Sequence, residues 1–313
     1  MREGRALARP DARAASLDRR GFLGLCAAAA ASLVMPDMCP AAPRVDFDDN
    51  LAVFLADVHA GAGRRCSAMR KHLETAISEI LRMRRLPRNV IVFGDVAYTC
   101  GIGADYDFSR PLFKLLEDAG IAVTIGMGNH DRRSEYAKRW PDAAAKSLVP
   151  GRYVHLVETP HVDFLMLDTL AGADGRAAGD EGPVGGSLSR DEQDFLCAFL
   201  RSRTKRVILC AHHPSGDLRV CGRPFADFMR SSPCVAGFVH GHLHRWRREG
   251  TNEISLPSAG AWGDVGYALC RAGGGRAVVE PVRRGFAVPT LISSPVMVSS
   301  SWQEKEKAFA FAL

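Results

Sequence analysis

Five short segments of this sequence carry the kinds of side chain that bind divalent metal ions in proteins. They are Asp57-Val58-His59, Gly94-Asp95, Gly128-Asn129-His130-Asp131, His212-His213-Pro214 and Gly241-His242-Leu243-His244. Their carboxylate, imidazole and amide groups suit Zn, Mn or Fe ions. One such segment would carry little weight, because Gly-Asp is a common turn, but five in one chain predict a metal site.

A ligand set of this size can hold two metal ions, and two ions suit the hydrolysis of phosphate esters. At a separation of about 3.5–4 Å they clamp an in-line displacement at phosphorus, lower the pKa of a shared water and supply hydroxide near neutral pH. Asp95 has two carboxylate oxygens and is the obvious bridge. His130 follows Asn129 directly, which places it to donate a proton near the leaving oxygen. We therefore expect a metal-dependent hydrolase with two Fe, Mn or Zn ions.

Short apolar segments that alternate with amphipathic ones explain how these side chains meet. The predicted strands are 51–56, 89–93, 121–125, 206–211 and 235–239. Helices are predicted over 66–83 and from a cap at Ser109, with Pro111 in its first turn, to Gly120. The β-α-β-α-β series implies parallel strands with right-handed crossovers. Each metal-binding segment follows a strand, and loops at the carboxyl ends of parallel strands converge on one crevice.

The rest of the chain predicts further, smaller elements. Segments 153–157 and 162–167 are expected to pair antiparallel, and the glycine-rich segment 171–186 to form a long surface loop. Ser189 and Glu192 form a capping box before a helix that reaches about Arg203. Three last strands are predicted at 253–256, 266–270 and 277–281. For 286–313 three interpretations stay open: an added strand, a covered sheet edge or disorder.

The five segments resemble those of the calcineurin-like metallophosphoesterases over roughly residues 50–282. The likeness is closest to the branch of bacterial cyclic-nucleotide phosphodiesterases and glycerophosphodiesterases, which carry Asp-x-His and Gly-Asn-His-Asp. The resemblance implies an α/β fold in which two mixed β-sheets pack as a sandwich flanked by helices, in a domain spanning 44–285. It implies His130 as the catalytic acid or transition-state stabiliser. It implies one metal held by Asp57, His59, Asp95 and His244, and another held by Asp95, Asn129, His212 and His242.

Two other branches of that superfamily fit less well. Gly94-Asp95-Val96-Ala97-Tyr98 matches the Gly-Asp-x-x-Tyr of purple acid phosphatases, in which the tyrosine binds ferric iron. That branch has Asp-x-Gly where this chain has Asp57-Val58-His59, which favours His59 as the ligand and Tyr98 as a loop or substrate-facing residue. Protein Ser/Thr phosphatases carry Arg-Gly-Asn-His-Glu, whereas Met127 and Asp131 occupy the outer positions here. A non-catalytic metal-binding protein of the same fold is a third interpretation.

Three residues near the metal-binding segments are predicted to contact substrate. They are His213, Tyr98 and Arg132. His212 takes the ligand position of His-x-Pro, so His213 is expected to orient substrate or a neighbouring group. Arg132 can contact a phosphate, although an ordinary surface ion pair fits it as well.

Residues 1–40 resemble a twin-arginine signal, which exports folded proteins across a bacterial inner membrane. Arg19-Arg20 precede Phe22-Leu23 and an apolar run from Gly24 to Met35. That run is short for a spanning helix, which needs about 20 residues. We expect a periplasmic or secreted protein that meets the twin-arginine export machinery and keeps no membrane span once mature.

The net charge narrows the class of molecule that the protein is expected to bind. The formal net charge is +6, and residues 1–40 contribute six Arg against four acids. The remaining excess does not indicate a nucleic-acid groove, but it favours a small anionic substrate such as a phosphate ester.

The nine cysteines form no close CxxC pairs, so a structural zinc site is not expected. Cys221 and Cys234 are one candidate disulfide in an oxidising compartment.

Overall fold

The first strand, β1 (Phe47–Leu55), shows why the apolar runs of this chain are continuous rather than alternating. Val53 and Leu55 pack on one face of its sheet, against helices. Ala52 and Phe54 pack on the other face, where the ring of Phe54 meets the ring of Phe164 from the second sheet at 5.5 Å. A strand buried on both faces is apolar throughout.

The structure is a computed structural model. It describes residues 45–61, 63, 66–175, 185–260, 262–287 and 308–313, and those from Asp46 onward form one compact unit. The predicted signal at 1–40 lies outside the described residues, as do most of the 171–186 loop and residues 288–307 of the tail. Among the described residues, no helix combines the length and the apolar character needed to cross a bilayer.

Two six-stranded sheets are stacked face to face in this unit. The first has the order β14-β13-β12-β1-β2-β3 and the second the order β10-β11-β9-β6-β5-β4. The strands of the first sheet are β1, β2 (Leu86–Val92), β3 (Ala122–Ile125), β12 (Gly263–Gly273), β13 (Arg276–Ala287) and β14 (Phe309–Ala312). The strands of the second are β4 (His155–Glu158), β5 (Asp163–Met166), β6 (Val207–Ala211), β9 (Val235–His240), β10 (Arg247–Arg248) and β11 (Glu253–Ser255). A short hairpin, β7 (Arg219–Val220) and β8 (Arg223–Pro224), stands apart.

Both sheets are mixed, with a parallel part that ends at the metal-binding segments. Strands β1, β2 and β3 run parallel, as do β5, β6, β9 and β11. The added strands β12 to β14 and the pair β4–β5 are antiparallel. This is the predicted α/β architecture of two mixed sheets with helices outside, and it confirms the predicted antiparallel pair.

Helices cover the outer face of each sheet. They are α1 (Ser67–Leu81), α2 (Gly103–Asp118), α3 (Arg133–Arg139), α4 (Pro141–Ala145), α5 (Arg190–Ser202) and α6 (Phe225–Arg230). Helices α1 and α2 pack on the first sheet, and α5 and α6 pack on the second. The capping box of α5 is formed as predicted, with Ser189 and Glu192 bonded reciprocally.

The predicted start of α2 at Ser109 is wrong. The helix begins at Gly103, and Ser109 is a buried interior residue whose hydroxyl donates to the Tyr106 carbonyl. The extra turn is held from outside the helix, because Asp105 accepts a hydrogen bond from the Tyr98 backbone N–H. Pro111 lies inside the helix. Tertiary packing of Tyr106 therefore outweighs the local capping and proline signals.

The end of the chain adds a strand, one of the interpretations left open for 286–313. Strand β14 pairs antiparallel with β13, so Phe309 and Phe311 are buried between the sheets. The ring of Phe311 lies where a side chain at Gly237 of β9 would be. The last residues thus complete the core rather than trail from it.

Candidate metal centre

Backbone strain is concentrated at the predicted metal ligands. Among the described non-glycine residues, Cys221 and five predicted ligands have positive φ, between 45° and 66°. The five ligands are Asp57, His59, Asp95, His242 and His244. Left-handed φ is costly for residues with a Cβ and is retained where the surrounding structure imposes it, commonly at functional sites.

The first cluster contains four buried side chains that face one another. They are Asp57, His59, Asp95 and His244, and their donor atoms all lie within 4.8 Å of one another. His59 Nε2 lies 3.2 Å from His244 Nε2 and 3.4 Å from Asp95 Oδ2. His244 Nε2 lies 3.3 Å from Asp57 Oδ1. Two carboxylates and two imidazoles at these distances are a ligand set for a divalent cation.

The hydrogen bonds of the two histidines show which nitrogens are available to a metal. His59 Nδ1 donates to the Tyr98 carbonyl at 3.0 Å, and His244 Nδ1 donates to the Trp262 carbonyl at 2.9 Å. This fixes the tautomers, so each Nε2 presents a lone pair. Burial lowers the pKa of His59 to about 3, which keeps its ring neutral. Two lone pairs that face each other beside carboxylates fit a cation between them.

The second cluster lies on the other side of Asp95. His212 Nε2 lies 3.0 Å from Asn129 Oδ1, 3.2 Å from His242 Nδ1 and 3.2 Å from Asp95 Oδ2. His242 Nδ1 lies 2.9 Å from Asn129 Oδ1. His212 Nδ1 donates to the Phe93 carbonyl at 2.8 Å, which again turns Nε2 toward the cluster. Amide oxygen, carboxylate and imidazole nitrogens therefore converge a second time.

Charge couples the two clusters. Burial disfavours the charged form of His212, but the Asp95 carboxylate outweighs it and raises the pKa of His212 to about 9. Burial also opposes ionisation of Asp95, yet the neighbouring histidines, His212 foremost, hold the pKa of Asp95 well below its usual range. Burial lowers the pKa of His242 to about 3. The Asp95 carboxylate is therefore the negative charge that both clusters share. A cation bound beside it would replace the proton on His212.

Asp95 occupies the position expected of a bridge. Its Oδ2 contacts His59 of the first cluster and His212 of the second. Its Oδ1 accepts the His130 backbone N–H at 2.7 Å, which orients the carboxylate. Gly128 lies so close that a Cβ there would be 2.2 Å from Asp95 Oδ1. The glycine before Asn129 is required by this close approach.

His130 lies at the edge of the first cluster. Its ring is half-buried, with a centroid 4.8 Å from that of His59. Its Nδ1 donates to the Thr99 carbonyl at 2.7 Å, which leaves Nε2 for another partner. All seven predicted ligands and His130 are therefore brought to one place, while their roles stay predictions.

The three predicted substrate contacts have different surroundings. His213 is fully buried, and its Nδ1 lies 2.8 Å from the Thr169 hydroxyl. It also belongs with His212 and His242 to a group of donors close enough to hold an ion. Tyr98 is half-buried and contributes its carbonyl to His59. Arg132 forms an ion pair with Asp174 at 3.0 Å, the ordinary alternative considered for it.

Two residues that the sequence did not identify as part of the site contact the ligands or the loops that carry them. The Trp262 ring packs on both His59 and His244. The buried Asp131 carboxylate accepts hydrogen bonds from the backbone N–H groups of Val96, Ala97 and Gly128. The only sequence signal for Asp131 was its place in Gly-Asn-His-Asp, and Trp262 had none.

The candidate disulfide Cys221–Cys234 is not formed. Cys234 is buried, with its thiol directed at the Leu200 carbonyl. Cys221 is exposed, and its sulfur lies 4.0 Å from that of Cys197.

Comparison with known proteins agrees with the geometry. Residues 52–246 match the family model described as calcineurin-like phosphoesterase. No curated protein shows significant similarity to the chain. Similar solved structures include TT1561 of Thermus thermophilus, with 10% identity, a TM-score of 0.49, and coverage of 75% of this chain and 98% of that one. The sulfate thiohydrolase SoxB of Thermus thermophilus has 11% identity, a TM-score of 0.43, and coverage of 75% and 54%. Vps29 of Chaetomium thermophilum has 13% identity, a TM-score of 0.35, and coverage of 77% and 90%.

Proposed function

Because the chain belongs to the calcineurin-like phosphoesterase family, whose members are generally hydrolases, we propose that it is an exported dinuclear phosphoesterase. Its substrates are phosphodiesters or small organic phosphate esters. The observation that carries the proposal is the pair of facing donor clusters that share Asp95. One cluster alone would serve a structural ion, whereas two that share a carboxylate suit displacement at phosphorus.

The residues of each cluster have distinct tasks in this mechanism. Asp57, His59 and His244 would hold one ion and Asn129, His212 and His242 would hold the other, with Asp95 common to both. When bound, the ions supply Lewis acidity, which makes water a better nucleophile and offsets the charge of the phosphate. The carbonyl groups of Tyr98, Phe93 and Trp262 fix the histidine tautomers, so the nitrogens are oriented before an ion arrives.

His130 is the proton donor in the proposed reaction. Its Nδ1–H is held by the Thr99 carbonyl, which leaves Nε2 to carry the transferred proton. Its backbone N–H holds Asp95, and its ring lies beside His59. In the proposed reaction the leaving oxygen would take a proton from His130 as the ester bond breaks. Metal binding alone needs no such group, which favours an enzyme over a non-catalytic metal-binding protein.

The position of His59 favours a diesterase over an iron-dependent acid phosphatase. Its Nε2 lies among the donors of the first cluster, where the purple acid phosphatases use a tyrosine. Tyr98 serves His59 through its main-chain carbonyl. A purple colour from tyrosine-to-iron charge transfer in the purified protein would instead support the acid phosphatase.

Metal analysis coupled to hydrolysis assays tests the proposal. We expect the purified protein to bind two metal ions and to hydrolyse bis(p-nitrophenyl) phosphate faster than p-nitrophenyl phosphate. Asp95→Ala should lose metal and turnover together. His130→Ala should keep its metal and lose turnover by about 10²–10⁴-fold, the usual contribution of a general acid. Bound metal without turnover of any mono- or diester would overturn the proposal. Full turnover by His130→Ala would remove its assigned role.

Export is tested separately from catalysis. We expect expression in a bacterium with a functional twin-arginine pathway to place the protein in the periplasm, and Arg19→Lys with Arg20→Lys to retain it in the cytoplasm. Equal periplasmic amounts of both forms would refute the export signal.

A further inference from the structure

Two cysteines on the outer face of the second sheet lie close enough to react with each other. Cys197 belongs to α5 and Cys221 to the turn between β7 and β8, and their sulfur atoms are 4.0 Å apart. Cys221 is exposed and Cys197 is half-buried. A disulfide requires about 2.05 Å between the sulfur atoms, so the two thiols are in contact but not bonded.

The backbone around Cys221 holds it against α5. Gln193, one helical turn before Cys197, accepts the Cys221 backbone N–H through Oε1 at 2.8 Å. Cys221 has φ of 50° and Gly222 has φ of 77°, so the turn is tight and projects over the helix. The backbone of the hairpin therefore holds Cys221 beside the helix that carries Cys197.

We propose that Cys197 and Cys221 form a redox-active pair that closes into an intramolecular disulfide when a small-molecule or protein disulfide oxidises it. The Cys221 thiolate attacks the external disulfide, which forms a mixed disulfide and releases one external thiolate. The Cys197 thiolate then attacks Cys221 Sγ, which forms the internal bond and releases the second. Two thiols lose two protons and two electrons, and the external disulfide is reduced to two thiols.

The surroundings of the two thiols favour this order. Cys221 is the exposed member and meets the oxidant first. Burial and the neighbouring Cys221 thiol raise the pKa of Cys197. Cys197 is therefore the thiol that reacts second, after Cys221 has formed the mixed disulfide. The other described cysteines differ in exposure: Cys100 is partly exposed, whereas Cys66, Cys210, Cys234 and Cys270 are buried. Cys197 and Cys221 are the accessible cysteines whose sulfur atoms lie together.

The bond would join parts of the protein that flank the second metal cluster. The two cysteines are 24 positions apart, and the segment between them contains β6 and His212. Closing this loop restricts the unfolded chain more than the folded one, so oxidation should raise the melting temperature. The inference does not depend on which ester the protein hydrolyses.

Peptide mapping of the full-length protein tests the proposal. Reduced protein is incubated with oxidised glutathione under native conditions, alkylated and digested without reductant. We expect a peptide that links Cys197 to Cys221, and a melting temperature roughly 5–10 °C above that of the reduced protein. Cys197→Ser and Cys221→Ser should both lose the linked peptide and the shift. Cys100→Ser, which removes another partly exposed thiol, should keep both.

Three outcomes would overturn the pair. These are recovery of both thiols in alkylated form, a Cys221–glutathione disulfide that Cys197 does not resolve, and a disulfide from either cysteine to a third. Because Cys221 is exposed, its serine variant is expected to fold, so a lost linkage there reports on chemistry rather than on unfolding.

Discussion

The indole of Trp262 stacks on the imidazole of His244, with 5.1 Å between ring centroids and 19° between ring planes. It also packs on His59 at 4.8 Å. Both histidines belong to the first donor cluster, and the Trp262 carbonyl orients His244. One aromatic residue therefore contacts both histidines of one cluster.

The fluorescence of Trp262 should report metal binding at the first cluster. A paramagnetic ion such as Co²⁺ or Mn²⁺ quenches an indole that stacks on its ligands, so titration should lower the emission. Trp262→Phe should lose at least half of that decrease and still bind metal. Trp140→Phe is the matched control, because Trp140 stacks on Tyr136 and touches no ligand. Equal quenching in Trp262→Phe and the unmodified protein would place the ion elsewhere.

Metal should stabilise the folded protein, because a cation removes the repulsion between the nitrogen lone pairs and carboxylate oxygens that face one another in both clusters. A ligand present at 100 times its Kd stabilises by about 2.7 kcal/mol. We expect Mn²⁺ or Zn²⁺ to raise the melting temperature by several degrees over protein in EDTA, measured by calorimetry. The exposed His161 has no part in the site, so His161→Ala should keep the shift that Asp95→Ala loses. A shift of equal size in Asp95→Ala would contradict the bridging role.

Gly128→Ala should abolish metal binding although it replaces none of the ligand residues. The added Cβ would lie 2.2 Å from Asp95 Oδ1 and 2.4 Å from the Asp95 backbone nitrogen. Asp95 would have to move out of both clusters. Gly216→Ala is the control, because a Cβ there meets nothing within 4 Å. Metal content near that of the unmodified protein in Gly128→Ala would show that the approach is looser than the structure indicates.

The positions of the ligands could be predicted because each one follows a strand. Apolar runs such as 51–56 indicate strands buried on both faces, and parallel strands bring Asp57, Asp95 and Asn129 to one edge. The support of those ligands could not be predicted in the same way. Trp262 and Asp131 act through contacts between segments far apart in sequence, and neither periodicity nor local signals record such contacts.

The errors have the same physical origin. Ser109 and Pro111 resemble a helix start, but tertiary packing extends α2 back to Gly103. The pairing of Cys221 was proposed from sequence with Cys234, whereas the hairpin turn carries it over α5 to Cys197. In both cases a long-range contact overrode a local pattern.

Asp131→Asn should destabilise the protein and weaken metal binding together. The Asp131 carboxylate accepts three backbone N–H groups and the Tyr106 hydroxyl, and it joins the loop of Asp95 to that of Asn129. An amide places N–H donors against N–H donors, and each buried unsatisfied group costs about 1–3 kcal/mol. Urea denaturation and metal titration measure the two effects.

The control for Asp131 is Tyr106→Phe, which removes the hydroxyl that donates to Asp131 and accepts the Arg132 backbone N–H, and keeps the carboxylate. It should lose about 1 kcal/mol and keep its metal. Unchanged metal affinity in Asp131→Asn, despite lower stability, would reduce Asp131 to a purely structural role.

Glu192, in helix α5, should make the unfolding free energy of the protein depend on pH. It is 1% exposed, and burial, with the nearby Asp168 carboxylate, raises the pKa of Glu192 from 4.5 to about 7. The folded state then holds its proton more tightly than the unfolded state does. Stability from this group is fully present below about pH 4.5 and declines as the pH rises toward 7.

Glu192→Gln should flatten that decline. Between pH 5 and pH 8 the unmodified protein should lose on the order of 2–3 kcal/mol more unfolding free energy than the variant does, since one pKa unit corresponds to about 1.4 kcal/mol. Urea denaturation in EDTA at both pH values measures the double difference and keeps metal titration out of it. Glu158→Gln, which alters an exposed carboxylate paired with Arg203, should leave the pH dependence unchanged. Parallel curves for Glu192→Gln and the unmodified protein would mean that Glu192 is already ionised at pH 5, held by Arg152 at 3.6 Å.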